Sequence, residues 1–218
     1  MEKIFDEIIK SLICFVVSGK SITFVPKINK VYKSMKYTET EIEGVWLIEP
    51  RVFDDARGYF FEAWKQAEFD AHVGGHVEFV QDNESMSARG VLRGLHYQKG
   101  SFSQAKLVRV IKGRVLDVAV DLRKGSKTFG KYVMVELSGE NKRQFFIPRG
   151  FAHGFLVLSD EAIFTYKVDN VYAPEHEASI HWDDPTIGIK WPIDGVEVLT
   201  SEKDRTKAKS FEEADYFE

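Results

Sequence analysis

Gly90-Val91-Leu92-Arg93-Gly94-Leu95-His96-Tyr97-Gln98 is a strand-like run bounded by glycine, yet it carries an imidazole in its middle. Side chains of a strand alternate between two faces. In a flat strand Leu92, Gly94, His96 and Gln98 would share one face and Arg93, Leu95 and Tyr97 the other, so a histidine projects from a segment suited to lining a barrel. Similar short runs, alternating or rich in aromatic and β-branched residues, recur on both sides of it. They occupy 45–48, 59–64, 77–81, 91–98, 106–111, 114–122, 132–137, 144–147, 154–158 and 162–167. Gly113, Gly125, Gly130, Gly139-Glu140-Asn141 and Pro148-Arg149-Gly150 punctuate them. About ten strands at this spacing, with no long helical pattern between Met35 and Trp191, predict an all-β sandwich or jelly roll. The charged end from Ser201 to Glu218 predicts a short helical terminal segment.

Composition agrees with one β domain. The chain has 218 residues, 13% of them aromatic and 44% hydrophobic, which is enough for a large core. Thirty Lys and Arg against 34 Asp and Glu leave a net charge of −4, which disfavours a general nucleic-acid binder. The single cysteine, Cys14, excludes an intramolecular disulfide and suits a reducing compartment, so a cytoplasmic protein is expected. Its surroundings, Leu12 to Val17, form an apolar run of six, against roughly 18 or more needed to span a bilayer. Acidic residues precede that run and no small-residue cleavage pattern follows, which argues against a signal peptide. Residues 1–34 lack the strand rhythm, and Met35 reads like a second beginning. We therefore expect residues 1–34 to be an N-terminal extension and residues 35–218 to form a single domain.

The chemistry concentrates in three places. His96 is the first. Taken alone it reads more readily as a core or edge histidine satisfied by a backbone carbonyl. Pro148-Arg149-Gly150-Phe151-Ala152-His153-Gly154-Phe155 is the second, a turn delivering His153 to the start of a strand. Its Pro-x-Gly-x-x-His spacing resembles the second motif of the cupins, a jelly-roll superfamily that usually holds a metal. Metal cupins supply His-x-His and Glu from the first motif, but position 98 is Gln. Two imidazoles make a poor site for zinc or iron, which want three or four protein ligands. The reading is a site without metal or cofactor, leaving a neutral histidine for proton transfer. The third place holds Lys106, at a strand end or in a polar cavity, and Tyr166, which alone could be an ordinary core aromatic.

Taken together, these segments carry a resemblance. From Met35 to about Asp204 the chain resembles the dTDP-4-dehydrorhamnose 3,5-epimerase family of metal-free cupins. The matching motifs are Phe53-Asp54-Asp55-Ala56-Arg57-Gly58-Tyr59-Phe60-Phe61-Glu62, Gln81-Asp82-Asn83 with Ser85 and Ser87, Gly90 to Gln98, Asp117-Val118-Ala119-Val120-Asp121-Leu122-Arg123, Pro148 to Phe155, and Ser201-Glu202-Lys203-Asp204. The resemblance implies a cupin-type double-stranded β-helix. It implies a nucleotide-linked 4-keto-6-deoxy-hexose substrate, inverted at carbons 3 and 5 through an enolate. It makes His96 the base, Tyr166 the opposing acid, Lys106 the cation beside the enolate oxygen and Asp204 the carboxylate that orients His96. His153 would line the sugar site, and Arg57, Glu62, Gln81, Asn83, Arg93, Glu177 and Lys203 would hold the nucleotide and diphosphate. Family members are homodimers that exchange N-terminal strands, so Arg57 and Glu62 would serve the neighbouring subunit. Rival readings are a relative inverting one carbon, a sugar ketoisomerase, and a nucleotide-sugar binding cupin without catalysis.

Chemistry explains why such a set is needed. A carbon acid beside a ketone has a pKa on the order of 20 against about 6.5 for imidazole, and at 1.36 kcal/mol per unit the mismatch is roughly 18 kcal/mol. A base alone cannot close that gap. A fixed cation in a dry pocket must stabilise the enolate oxygen, and inversion needs a proton donor on the other face. Arg93 has the wrong parity to share the face of His96 in a flat strand, so a bend or bulge is expected at Gly94.

Overall fold

The computed structural model describes residues 35–218 and one short antiparallel pair, β1 (Val17–Ser18) with β2 (Ser21–Ile22). The chain divides into two compact units, Met1–Lys33 and Ser34–Glu218. Apart from that short pair, the reading of residues 1–34 as an extension lies outside the described residues.

The strands of the larger unit are, in order, β3 (Met35–Glu39), β4 (Trp46–Pro50), β5 (Phe53–Asp55), β6 (Gly58–Phe60), β7 (Gln81–Ala88), β8 (Leu92–Gln98), β9 (Lys106–Lys112), β10 (Arg114–Asp121), β11 (Tyr132–Ser138), β12 (Gln144–Ile147), β13 (Phe151–Val157), β14 (Glu161–Val168) and β15 (Glu177–Ser179). Two antiparallel sheets result, one of six strands in the order β3-β4-β12-β9-β14-β7 and one of five in the order β11-β10-β13-β8-β15. Two helices complete the unit, α1 (Gln66–Val73) and α2 (Glu202–Thr206). This is the predicted all-β sandwich, and of the two helices α2 lies in the terminal segment where one was expected.

Apolar residues from both sheets meet between them. Val108, Phe145 and Phe164 of the six-stranded sheet pack with Val115, Phe155 and Val157 of the other. Phe155 and Phe164 stack at 4.3 Å between centroids, a favourable arrangement for aromatic pairs. The outer face of the five-stranded sheet is also buried: Leu95, Val118, Val120 and Leu156 lie under Ile180, Trp191 and Phe211. Strand β10 is therefore covered on both faces, which is why it reads as a nearly continuous apolar run. On the outer face of the six-stranded sheet Phe146, Leu107 and Ile48 pack with Phe69 of α1.

Several elements differ from the sequence expectation. Strand β7 begins at Gln81, where the pattern at 77–81 predicted a strand ending. Its eight residues include only one buried side chain, Ser87, because β7 pairs with β14 along one edge and has no apolar face to announce it. The run 59–64 contributes only β6, which pairs with β5 in an exposed hairpin. Helix α1 was not foreseen, since Phe69 is its only buried side chain and no helical periodicity can emerge from one anchor. The charged end is helical only over α2 and a single 3-10 turn at Phe211–Glu213.

Candidate functional site

The β8 segment does not run flat past β13. His153 pairs with His96 and Phe155 with Arg93, with a register shift between them. Two residues of β8, Gly94 and Leu95, thus stand opposite one residue of β13, which is a β-bulge. The bulge restores parity: Arg93 and His96 now turn to the same side, whereas Leu92 joins Leu95 and Tyr97 in the outer cluster. The flat-strand grouping of Leu92 with His96 is corrected accordingly. Position 94 tolerates nothing larger than glycine. Its φ is +119°, and a Cβ there would lie 2.6 Å from the Cα of Gly154 and from the carbonyl oxygen of His153.

His96 opens into a cavity of about 460 Å³ between the two sheets, within the usual range for small-molecule sites. Its Nε2 lies 2.5 Å from Oδ1 of Asp204. Asp204 is itself placed by the start of α2. Ser201 caps that helix, accepting from the Asp204 backbone N–H at 3.0 Å and donating its hydroxyl to Asp204 Oδ2 at 2.8 Å. Burial pushes the Asp204 carboxyl upward, but the His96 hydrogen bond and charge, with the two Ser201 bonds, outweigh it and hold the pKa below the ordinary value. The carboxylate stays ionised and fixes the imidazole with Nδ1 as its remaining nitrogen.

Across the cavity, the six-stranded sheet contributes Lys106 from β9 and Tyr166 from β14. Burial lowers the Lys106 pKa to about 8, against the pull of Asp117 and Glu177 in the other direction. Tyr166 packs at the end of the aromatic stack, 6.1 Å from the Phe164 centroid. Burial raises its pKa, the Arg93 charge opposes and Glu177 adds to the rise, so the phenol is neutral at rest. Neither the Lys106 amine nor the Tyr166 hydroxyl hydrogen-bonds to any described residue. His153, on β13, completes the wall; its Nε2 faces both carboxylate oxygens of Asp117 at 3.0 Å.

Of the residues proposed from sequence, His96, Lys106, Tyr166, Asp204, Arg93 and His153 border this one cavity. Arg93 donates from Nε to Ser87 Oγ at 3.0 Å. Glu177 accepts from the Tyr172 hydroxyl at 2.5 Å and from Lys203, and its charge is felt by Lys106 and Tyr166. Gln81 donates to Asn83 at 2.7 Å on the edge strand, where Asn83 pairs with Tyr166. Arg57 and Glu62 do not reach the cavity of their own chain. Arg57 pairs with Asp55 at 2.5 Å in the exposed β5–β6 hairpin and Glu62 lies 3.8 Å from Lys65. Sequence reasoning assigned no role to Asp117 or Ser201. Asp117 had a legible signal, an acidic residue between Val115 and Ala119 on the core face of a strand.

Gln98, the residue that replaces a metal-binding histidine, has other work. Buried at the end of β8, it donates to the carbonyls of Phe102 and Val171 and accepts from the Ala173 N–H. Among the described residues no three His, Cys, Asp or Glu side chains converge as a metal set. The polar groups instead suit proton transfer at a carbon held between His96 and Tyr166, beside a cation.

The family model described as dTDP-4-dehydrorhamnose 3,5-epimerase matches residues 39–213. A Pseudomonas aeruginosa protein of that description is 57% identical over 183 residues, covering 84% of this chain and 99% of its own. The crystal structure of dTDP-4-dehydrorhamnose 3,5-epimerase from Elizabethkingia anophelis superposes with a TM-score of 0.80 at 51% identity, covering 84% of this chain and 100% of that one. An epimerase structure from Legionella pneumophila in complex with dTDP-4-keto-L-rhamnose superposes with a TM-score of 0.79 at 50% identity, covering 83% and 95% of the two chains.

Proposed function

The chain belongs to the dTDP-4-dehydrorhamnose 3,5-epimerase family and is an isomerase of dTDP-rhamnose biosynthesis, and from that premise we propose that His96 is its base and Tyr166 its acid. The observation that carries this reading is the His96–Asp204 pair on one sheet side of a cavity whose other side presents Tyr166 and Lys106. His96 removes the proton beside the ketone, and the imidazolium that forms is stabilised by the Asp204 carboxylate. Lys106, charged below a pKa of about 8, lies beside the oxygen on which negative charge develops, where a preorganised cation in a dry site acts most strongly. Tyr166 returns a proton to the opposite face. Once the imidazolium has lost its proton to solvent and the phenolate has regained one from it, repeating the cycle at the second flanking carbon gives double inversion. The site needs no metal or cofactor for this chemistry.

Arg93 supplies one guanidinium for the diphosphate, whose oxygens it can meet in fork geometry. Gln81, Asn83, Glu177, Lys203 and His153 would contact the nucleotide and sugar of a dTDP-4-keto-6-deoxy-hexose. Support comes from the relatives: the Legionella structure contains dTDP-4-keto-L-rhamnose, and one from Bacillus anthracis contains TDP and pyrophosphate. Arg57 and Glu62 act in a homodimer, each hairpin completing the neighbour's site. What supports this is the exposure of Tyr59 and Phe60, 56% and 65%, on an arm whose arginine lies outside its own cavity. Mixing subunits tests it. Arg57→Ala and His96→Ala, each deficient alone, should regain activity when mixed, because one site of the heterodimer then has both residues. Mixed samples in which subunits have exchanged and activity stays at the level of the separate variants would place Arg57 in its own chain's site.

No described helix is long and apolar enough to cross a membrane, and the proposed place of action is the cytoplasm. The catalytic domain is residues 35–218, with 1–34 as an extension. A chain beginning at Met35 should keep kcat/KM within about twofold of the full chain, since the family pattern begins at Met35 and no proposed site residue precedes it. Insolubility of that shorter chain, or loss of most of its kcat/KM, would make the extension structural.

A further inference from the structure

Asp117 lies at the centre of β10, fully buried, and is absent from the cavity wall. A carboxyl in that position is costly to bury unless it is paired. Burial pushes its carboxyl upward, and the charge and hydrogen bond of His153, with the Lys106 charge, oppose the rise. Its two oxygens both stand 3.0 Å from Nε2 of His153, the geometry of a carboxylate accepting from one N–H, and its charge acts on Lys106. His153 is also nearly enclosed, with 7% exposure. Its other nitrogen, Nδ1, hydrogen-bonds to no described residue and yet is not a sealed, unpartnered atom, so it opens on the cavity that the ring borders.

We infer that Asp117 is a positioning residue for the reaction: it holds His153 as the Nε2–H tautomer with the Nδ1 lone pair turned to the sugar, and it keeps an anion beside the Lys106 ammonium. The inference deepens the proposed site and rests on that reading. A histidine whose Nε2–H is committed to a carboxylate can only accept at Nδ1 while neutral. It would thus take a hydrogen bond from a sugar hydroxyl, orienting the ring without competing for the proton that His96 must remove. Burial drives the His153 pKa down, against Asp117, with Lys106 and His96 adding to the fall, so the ring is neutral at working pH. The second role is electrostatic. Asp117 from β10 and Glu177 from β15 raise the Lys106 pKa against burial, and the other titratable or charged groups bordering the same cavity are His153 from β13, His96 and Arg93 from β8, Glu84 from β7, Tyr166 from β14 and Asp204 from α2. Removing Asp117, the anion whose charge acts most on Lys106, lowers the pKa of the ammonium, so the charged form is lost at lower pH.

Asp117→Asn preserves shape and can still accept from Nε2–H through Oδ1, but it loses the charge. The alkaline limb of kcat, placed near pH 8 by Lys106, should move down by about one unit. Activity at pH 8 should fall about fivefold, approaching tenfold at higher pH, and recover largely near pH 6.5, while KM changes less than kcat. A merely structural role would lower activity evenly across pH and would not move the limb. An unshifted limb with kcat within twofold of the parent overturns the electrostatic part. Because a buried substitution can also unfold the protein, the tautomer is read on the parent itself by 15N resonances of His153. A protonated Nε2 with a bare Nδ1 from pH 6 to 9 is expected, and an Nδ1–H form or an imidazolium in that range overturns the positioning role. Lys106→Met separates the two levels of the argument. If that variant turns over at the parent rate, the site reading fails. If it is inactive while Asp117→Asn is indifferent, only the inference about Asp117 fails.

Discussion

His96→Ala is expected to abolish both inversion and deuterium uptake from heavy water while dTDP affinity stays within a few-fold of the parent. The two observables separate because different groups carry them. Arg93 and the nucleotide-contacting residues hold the charged diphosphate, whereas the imidazole is the acceptor for the carbon-bound proton. Removing a positioned general base costs on the order of 10²- to 10⁴-fold, and here the loss falls on kcat because the imidazole's interaction strengthens only as the proton moves. Incubation with dTDP-4-keto-6-deoxyglucose in heavy water, followed by NMR at the two carbons beside the ketone, reads both exchange and configuration. Deuterium entering either carbon at near the parent rate in His96→Ala would assign the base elsewhere. Asp204→Asn gives the graded companion. It keeps a hydrogen-bond acceptor for the ring and loses the charge that stabilises the imidazolium, so its kcat should lie between parent and His96→Ala.

Tyr166→Phe should divide exchange from inversion. His96 remains able to take the proton and Lys106 to stabilise the enolate, so the enolate still forms. With no donor on the far face, it is reprotonated by the base it came from. The expected result is solvent deuterium in at least one carbon beside the ketone with configuration retained, and net inversion lower by 10²-fold or more. Phenylalanine keeps the contact with Phe164, so packing changes little and the effect belongs to the hydroxyl. Inversion of both carbons at close to the parent rate would show that another group or a water delivers the proton, and Tyr166 would then be an aromatic residue of the barrel wall.

These two experiments probe residues that come from opposite sheets, and their legibility in the sequence was uneven for physical reasons. Strands buried on at least one face announced themselves. In β10 and β14 the repeat of apolar side chains is the same repeat that packs the core, so residues 114–122 and 162–167 marked strands observed at Arg114–Asp121 and Glu161–Val168. Edge strand β7 and helix α1 did not, because backbone pairing and a single Phe69 anchor hold them rather than an apolar stripe. The bulge at Gly94 was inferable only as a conflict of parity between Arg93 and His96. Its geometry depends on how closely Gly154 approaches from the neighbouring strand.

What the sequence by itself determined was the fold class and the chemical inventory: an all-β domain whose motifs match one epimerase family, with His96, His153, Lys106 and Tyr166 as candidate groups and Gln98 where a metal ligand would stand. The fold class follows from local periodicity, and the inventory from the resemblance of short motifs to one family, neither of which needs a spatial partner to be read. Only the tertiary structure decided which groups meet. Asp204 reaches His96 across 108 positions of chain because Ser201 starts a helix over that end of the sandwich. Asp117 meets His153 because β10 and β13 are neighbours in the sheet, and Arg57 stays outside the cavity because its exposed hairpin holds it against Asp55. Charges act over a few ångströms through space, so pairing, burial and the resulting protonation states belong to the packing of distant segments and not to their order along the chain.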